Sequence, residues 1–442
     1  MLTKISIQNF KLHKDTVLQL KPVTIFIGSN NSGKSSVFQF LQIMKQAKLN
    51  RLDDIVPDFG GDIFTSNGGI INSSQLRTKL IDLGSFDQVV HPKESYLSLS
   101  LEGSKNVNNK DYYYQVQWTV RQNRLVAHRG KFSCWTDDFS VDWDWDRDRD
   151  YEKRNSPELN KSFNFDGISI SYRPSEYMAN ILEFNGAARE NNTSQRVYES
   201  KLQEMNDRID ILNGIFSNIH YIYGLRGIEE SHHPLADNLE NGFENLHLYD
   251  RATRMTSAYP YDRALEERVS DWLRQYLKIS IVSEIKPGKR VNIKVKKDGQ
   301  TTYLVNEGLG IHQILFLLAP VALGARGDTF MIEEPEAHLH PKAQTDLMKL
   351  LLQIVQKEAK QFLMATHSEH ILYAFLNAVS KGELNPQDLA IYYFESVDGF
   401  AKVRLLEIDQ KGRVKGGLPG FFEQGLQELV DALEAKSGPS TD

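Results

Sequence analysis

Apolar and polar positions alternate over residues 2 to 8 as in a half-buried strand, and Val17 to Leu20 is spaced to return beside it. Val23 to Ile27 follows as an apolar run of the kind a fully buried strand carries. After Gly33 the spacing lengthens, with Phe38, Leu41 and Met44 at helical intervals. Gly, Asp, Asn and Ser dominate residues 50 to 74, a loop pattern, and order returns at Ile81 to Asp87. Tyr96 to Leu101, Tyr112 to Val120 and Arg124 to Phe132 predict an antiparallel meander. From Tyr198 an a/d seam runs through Leu202, Met205, Ile209, Leu212 and Phe216. It fits either a helix packed on its own domain or a short protrusion that pairs with a second copy.

Further on, His220 to Arg226 reads as a buried strand ending in a basic residue, Asp262 to Leu277 as a helix, and Ile281 to Val305 as strand. A glycine turn at Gly308 opens an apolar helix, Ile314 to Leu323. Thr329 to Ile332 and Gln361 to Ala365 are short apolar strands. Between them a helix starts on Pro341, the favoured first position, and runs to about Val355. Strands alternating with helices at both ends of the chain imply an α/β fold with an antiparallel region beside it.

Composition narrows the classes. At 442 residues the chain has room for two or three structural units, and its 40% hydrophobic and 25% charged residues are those of a soluble globular protein. The longest apolar run, Ile314 to Leu323, contains Pro320 and is too short for a bilayer, and the N-terminus shows no signal-peptide pattern. The expectation is a cytoplasmic chain with no membrane partner. Cys134 is the single cysteine, which excludes an intramolecular disulfide framework and a cysteine-rich zinc site.

A net charge of -6 argues against a uniformly basic nucleic-acid coat. A local basic face remains at Lys286, Lys289, Arg290, Lys294 and Lys296, with Lys294 and Lys296 opposite Val291, Ile293 and Val295 on a strand. DNA is therefore a candidate partner, against the ordinary reading of lysines on the wet side of a sheet. Between Thr136 and Arg154, Asp142, Asp144, Asp146, Asp148 and Asp150 take every second position among Trp143, Trp145, Arg147 and Arg149. A solvated, charge-balanced loop is the default there; on a strand the aspartates would make one acidic edge, suited to a metal or a partner.

The candidate chemistry sits at strand ends. Gly28, Ser29, Asn30, Asn31, Ser32, Gly33, Lys34 and Ser35 follow the Val23 strand directly and open a helix, the strand, loop and helix context of a phosphate-binding loop. Its backbone N–H groups can surround a triphosphate, Lys34 can reach the β- and γ-phosphates, and the Ser35 hydroxyl can sit on Mg²⁺, with Ser36 next along the same helix. Phe10 is either a base-stacking aromatic or core. The Thr329 strand delivers Glu333 and Glu334 at its C-terminal end, where one acid can hold Mg²⁺ and the other can orient and deprotonate an attacking water. His367 ends the Gln361 strand at the same sheet edge, in reach of a γ-phosphate. Arg226 can face phosphate or make a structural ion pair. Gly308, Gly310 and Gln313 form a second helix opening able to face phosphate, which is economical if it completes the site of another subunit.

The order of these signals resembles the ABC-type ATPase heads of SMC and DNA-repair proteins and of the OLD class of bacterial phage-defence ATPases, over roughly residues 1 to 90 and 300 to 380. The resemblance implies an α/β ABC-type P-loop ATPase head with an antiparallel β subdomain and a helical insertion. Residues 1–135 would be the N-terminal lobe, 136–305 the insertion and 306–442 the C-terminal lobe. By the same resemblance Gly28 to Ser36 is Walker A, Glu333 and Glu334 are Walker B, Gly308 to Gln313 is the signature, Ala337 to His340 is the D-loop and His367 is the switch histidine. ATP with Mg²⁺ would be sandwiched between copies in a dimer or higher oligomer, with Glu334 and His367 catalytic and Ser35 and Glu333 on the metal.

Two departures stand out: Glu333 replaces the usual aspartate, and the signature serine is missing, which together imply slow turnover. The Gly416 to Phe422 stretch and the Asp82 to Phe86 string resemble a branch of uncharacterised bacterial ATPases with this glutamate pair. Within that resemblance the ATPase of a Septu-type antiphage system, working with a separate nuclease subunit, is the nearest named case. A DNA-maintenance ATPase and a static ATP-bound scaffold are the alternatives. The tail after His367 holds no clustered carboxylates beyond Asp388, Glu395 and Asp398, which disfavours a built-in nuclease.

Overall fold

The strand Val23–Gly28, buried at every position, lies inside a six-stranded sheet ordered Ile219–Ile222, Thr329–Glu333, Gln361–Ala365, Val23–Gly28, Leu389–Val397, Phe400–Leu405. The computed structural model that shows this describes residues 1–46, 63–64, 70–71, 89–92, 94–107, 110–121, 129–135, 140–146, 161–165, 168–172, 182–184, 218–224, 226, 233–234 and 248–416. The expected seam from Tyr198 to Phe216, the Ile81 to Asp87 string and residues 417–422 lie outside them.

Five of the six strands run parallel and only Phe400–Leu405 is antiparallel, on the edge. Parallel pairing needs crossovers, and helices on both faces supply the cover. The helices Arg263–Leu277, Leu309–Leu323 and Pro341–Glu358 share one core with Val23, Ile25 and Ile27. On the other face Phe26 packs with Phe38 of the helix Lys34–Gln46 and with Ile5 and Ile7 of an antiparallel sheet. The parallel register puts the C-terminal ends of the Gly28, Ala365 and Glu333 strands side by side, the edge at which such sheets bind ligands.

Among the described residues the antiparallel sheet has nine strands, from Leu182–Phe184 at one edge to His13–Gln19 at the other. His13–Gln19 begins ahead of the expected Val17 because the chain reverses tightly, with Asn9 and Lys11 at φ of 56° and 51°. The expected meander is present as Tyr96–Val107, Lys110–Arg121 and Arg129–Trp135, the last starting later than Arg124. The sheet then runs on past residue 135, so the boundary expected there falls inside one sheet. Ser140–Asp146 is one of its strands, a correction to the loop expectation for those residues. Val141, Trp143 and Trp145 alternating with aspartate give the segment strand chemistry, and the register sets Asp144 opposite Lys131 and Asp146 opposite Arg129.

The helix Arg263–Leu277, capped by Asp262 through a bond from the Leu265 N–H (3.0 Å), packs on a smaller sheet made by Ile279–Lys286, Arg290–Lys297, Gln300–Tyr303 and the short His233–Pro234. Val291, Ile293 and Val295 face inward as the alternation predicts. On the other face Lys294 and Lys286 each lie 2.7 Å from Glu284, and together they hold that carboxyl down at about 2. Two of the basic-face lysines are thus committed within the sheet, while Lys296 and Lys297 are exposed. The α/β fold with an antiparallel subdomain is the architecture expected. No helix among the described residues is long and apolar enough to cross a membrane.

Candidate functional site

The loop expected to bind phosphate leaves its strand at Gly28 and enters its helix at Lys34. Gly28 has φ +140°, and a Cβ there would lie 2.1 Å from the Phe394 carbonyl oxygen, so only glycine fits. Ser29, Asn30, Asn31 and Ser35 are exposed, whereas Ser32 is buried and donates from its hydroxyl to the Ser29 carbonyl at 2.8 Å. Lys34 points back under the loop, its ammonium donating to the carbonyls of Ser29 (2.7 Å) and Gly28 (3.0 Å). Burial brings its pKa down to about 8 while Glu334 and Glu336 pull it back up, so it remains a cation at neutral pH. Phe10 is fully buried in the core beside this loop, so the stacking alternative for it does not hold. Its strand end is covered by Val89 and Val90, which leave no ring face for a base.

Glu333 closes its strand half-buried, and Glu334 is exposed on a turn with φ 43°. The Glu334 N–H donates to the Ala365 carbonyl at 2.9 Å, fastening the acidic turn to the strand that carries His367. The His367 ring lies among Lys34, Glu334 and the Gly28 carbonyl, the groups that act on its titration. Burial and then the Lys34 charge hold its pKa below the usual histidine value, against Glu334 and the Gly28 carbonyl. Lys34, Glu334 and His367 are therefore brought to one place by three adjacent strands.

Two residues that sequence reasoning did not place in the site bind it together. Glu336 accepts the His367 N–H on Oε1 at 2.8 Å, and its buried Oε2 has no hydrogen-bond partner among the described residues. Burial first, and the neighbouring Glu334 charge, push its pKa up against three hydrogen bonds that lower it. The signal was in plain view: a third carboxylate two positions after Glu334. Arg226, left open between phosphate and ion pair, spends its guanidinium hydrogen bonds on an amide and two backbone carbonyls while its charge acts on the nearby glutamates. Buried, it donates to the carbonyls of Glu333 (3.3 Å) and Glu334 (3.1 Å) and to Gln313 Oε1 (2.7 Å), and Gln313 Nε2 returns a bond to the Arg226 carbonyl at 2.6 Å. Burial lowers its pKa to about 10 and Glu336, Glu334 and Glu333 raise it, so the guanidinium stays charged.

Gln313 is 1% exposed, inside the helix Leu309–Leu323, which begins earlier than the expected Ile314. Gly308 and Leu309 are exposed at that helix opening. Gly310 faces the turn at His338, where a Cβ would lie 2.7 Å from the His338 carbonyl. The glycine turn is thus placed beside the 337–340 turn and tied through Gln313 and Arg226 to the acidic pair.

Among the described residues no group of three or more His, Cys, Asp or Glu side chains is arranged to hold a metal by itself. The oxygens present, the exposed Ser35 hydroxyl, Glu333 and the unpartnered Glu336 Oε2, are hard donors that suit Mg²⁺ sharing its shell with phosphates and water.

A family model described as AAA ATPase domain matches residues 1–372, and one described as protein of unknown function (DUF3696) matches residues 384–431. No curated protein matches the chain. Among solved structures, the SMC head domain from Thermotoga maritima is similar over 92% of this chain and 99% of its own, at 12% identity and a TM-score of 0.40. An SMC head bound to the C-winged helix domain of ScpA is similar over 92% and 98%, at 12% identity and a TM-score of 0.45. An SMC head domain with an extended coiled coil, bound to the C-terminal domain of ScpA derived from Pyrococcus furiosus, is similar over 98% and 99%, at 12% identity and a TM-score of 0.40.

Proposed function

Because the chain belongs to the AAA ATPase domain family, we propose that it is an ABC-type ATPase that binds ATP, associates with a second copy around it and hydrolyses it slowly. The observation that carries this is the meeting of Lys34, Glu334 and His367 at one sheet edge, with the Lys34 and Glu334 charges acting on each other.

In this reading Gly28 to Ser36 cradle the triphosphate, and Lys34 exchanges the Gly28 and Ser29 carbonyls for phosphate oxygens. Glu334 takes a proton from water as the water oxygen bonds to the γ-phosphorus and the bond to the β-phosphate oxygen breaks. His367, whose charge is coupled to Lys34 and Glu334, would meet the γ-phosphate from the neighbouring strand end. Ser35 and Glu333 would hold Mg²⁺, which when bound neutralises charge on the β- and γ-phosphates. The helix opening exposed at Gly308 and Leu309, with Gly310 behind it, would face the nucleotide of the other copy with its N-terminal N–H groups. Gln313 serves that opening from inside by holding Arg226.

At the next level, the protein acts in the cytoplasm as the sensor or regulator of a separate effector nuclease in antiphage defence. This reading rests on the resemblance of the glutamate pair and of the Gly416 to Phe422 stretch read in the sequence. A DNA-maintenance role is the second reading, favoured by the exposed Lys296 and Lys297. Phosphate release assayed on purified protein tests the core of this proposal. Release should disappear in Glu334→Gln and ATP binding in Lys34→Ala; release that survives Glu334→Gln would overturn it. Co-purification with a nuclease subunit, with DNA, or with neither separates the two cellular readings.

A further inference from the structure

His13 opens the strand His13–Gln19, and its ring is completely buried beneath the phosphate loop. Its Nε2 lies 3.0 Å from the Gly33 carbonyl oxygen and its Nδ1 3.0 Å from the Thr16 hydroxyl. A carbonyl can only accept, so the proton of the neutral ring is on Nε2, and Nδ1 accepts from Thr16. Burial keeps the ring neutral by bringing its pKa down to about 4. The ring stands edge-on to Phe394, 6.2 Å between centroids at 85°. Phe394 in turn is the register partner of Gly28, and its carbonyl closes the space that a Gly28 side chain would need. Both glycines of the loop therefore rest on one brace, Gly28 on the Phe394 backbone and Gly33 on the His13 ring.

The consequence follows from the planar trans peptide, in which C=O and N–H point in opposite directions. A Gly33 carbonyl held downward by His13 directs the N–H of Lys34 upward into the loop's concave side. That amide is the first donor of the helix N-terminus. Gly33 has φ +101°, a conformation open to glycine, so the orientation of this peptide is set by the partners of its carbonyl, of which the His13 ring is one. The Ser36 N–H takes the carbonyl's other lone pair at 3.1 Å, completing its partners.

We propose that His13 is a positioning residue for the phosphate subsite: through the Gly33 carbonyl it presets the peptide that offers the Lys34 N–H to a triphosphate anion, with Thr16 fixing its tautomer. This rests on the ATP-binding reading and adds to it a residue outside the loop. A histidine that only fills core would need a ring there and no donor.

The test compares the full chain with His13→Phe, which keeps the ring and its edge contact with Phe394 but loses the donor, and with His13→Gln, which restores an N–H. Dissociation constants are measured by calorimetry for ATP and for inorganic triphosphate, which has no base or ribose. His13→Phe should bind both about five- to tenfold more weakly, the scale of one lost hydrogen bond, and His13→Gln should recover most of the loss. Thr16→Val, which leaves the fold's larger contacts untouched, should weaken triphosphate about twofold. Triphosphate binding by His13→Phe equal to wild type, or no recovery in His13→Gln, overturns the proposal while leaving the ATPase reading intact. A wild-type chain that binds neither ligand overturns both.

Discussion

Arg226→Met is the perturbation that asks most of the site's internal wiring. Methionine replaces the aliphatic stem and removes a buried guanidinium that donates to Gln313 at 2.7 Å, Glu334 at 3.1 Å and Glu333 at 3.3 Å. Each charged hydrogen bond is worth about 1.5–3 kcal/mol, but two of the three are long and they share one donor group. Relief from burying the cation offsets part of the loss. Removing one partner of a buried charged arrangement costs about 3–5 kcal/mol, and the lower half of that range is the expectation here. The same substitution takes away the positive charge that acts on Glu336, Glu334 and Glu333 and frees the backbone that aims Glu334, so turnover should fall at least about tenfold. Arg226→Lys should not rescue it, since a point cation cannot reach all three acceptors. The assay is urea unfolding followed by tryptophan fluorescence, paired with phosphate release. A loss below about 1 kcal/mol with unchanged turnover would refute the reasoning.

Other predictions rest on single contacts. Gly310→Ala places a Cβ 2.7 Å from the His338 carbonyl and 3.1 Å from Leu339 Cδ2, and should lower stability by about 1–3 kcal/mol, whereas Gly308→Ala points into open space and should leave the thermal midpoint unchanged. A midpoint equally low in both would contradict this. His13 adds a pH dependence of defined sign. Its folded pKa of about 4 lies below the ordinary 6.5, so unfolding takes up a proton between the two values. Its contribution, on the order of 3 kcal/mol, is fully present above pH 6.5 and is lost as pH falls towards 4. Urea midpoints at pH 7.5, 6 and 4.5 should therefore drop more steeply in wild type than in His13→Phe; parallel lines would exclude the burial argument.

The core of the site was legible because its signals are local. A continuous apolar strand feeding glycines and a lysine, and a second feeding two acids, each specify their own geometry within a few residues. What stayed hidden depends on distant pairs. Arg226 meets Glu333 only because the Ile219 strand pairs with the Thr329 strand, and His13 meets Gly33 only where the antiparallel sheet packs against the parallel one. Neither pairing leaves a periodicity in the chain. Phe10 was ambiguous because a strand-end aromatic has the same pattern whether it faces core or ligand. The Asp142 to Asp146 segment misled through composition: charge suggested a loop, while the alternating Val141, Trp143 and Trp145 carried the strand. Lys286 and Lys294 read as a nucleic-acid face in the sequence, but both pair with Glu284, which shares a strand with Lys286 and neighbours the strand of Lys294.

The claim that the phosphate loop is half of a nucleotide site is tested most directly by the size of the Glu334→Gln protein in solution. Gel filtration with multi-angle light scattering should give a monomer mass without nucleotide and twice that mass with ATP and Mg²⁺, because the variant holds the nucleotide uncleaved between two copies. The same mass in both conditions, with ATP bound, would contradict the account.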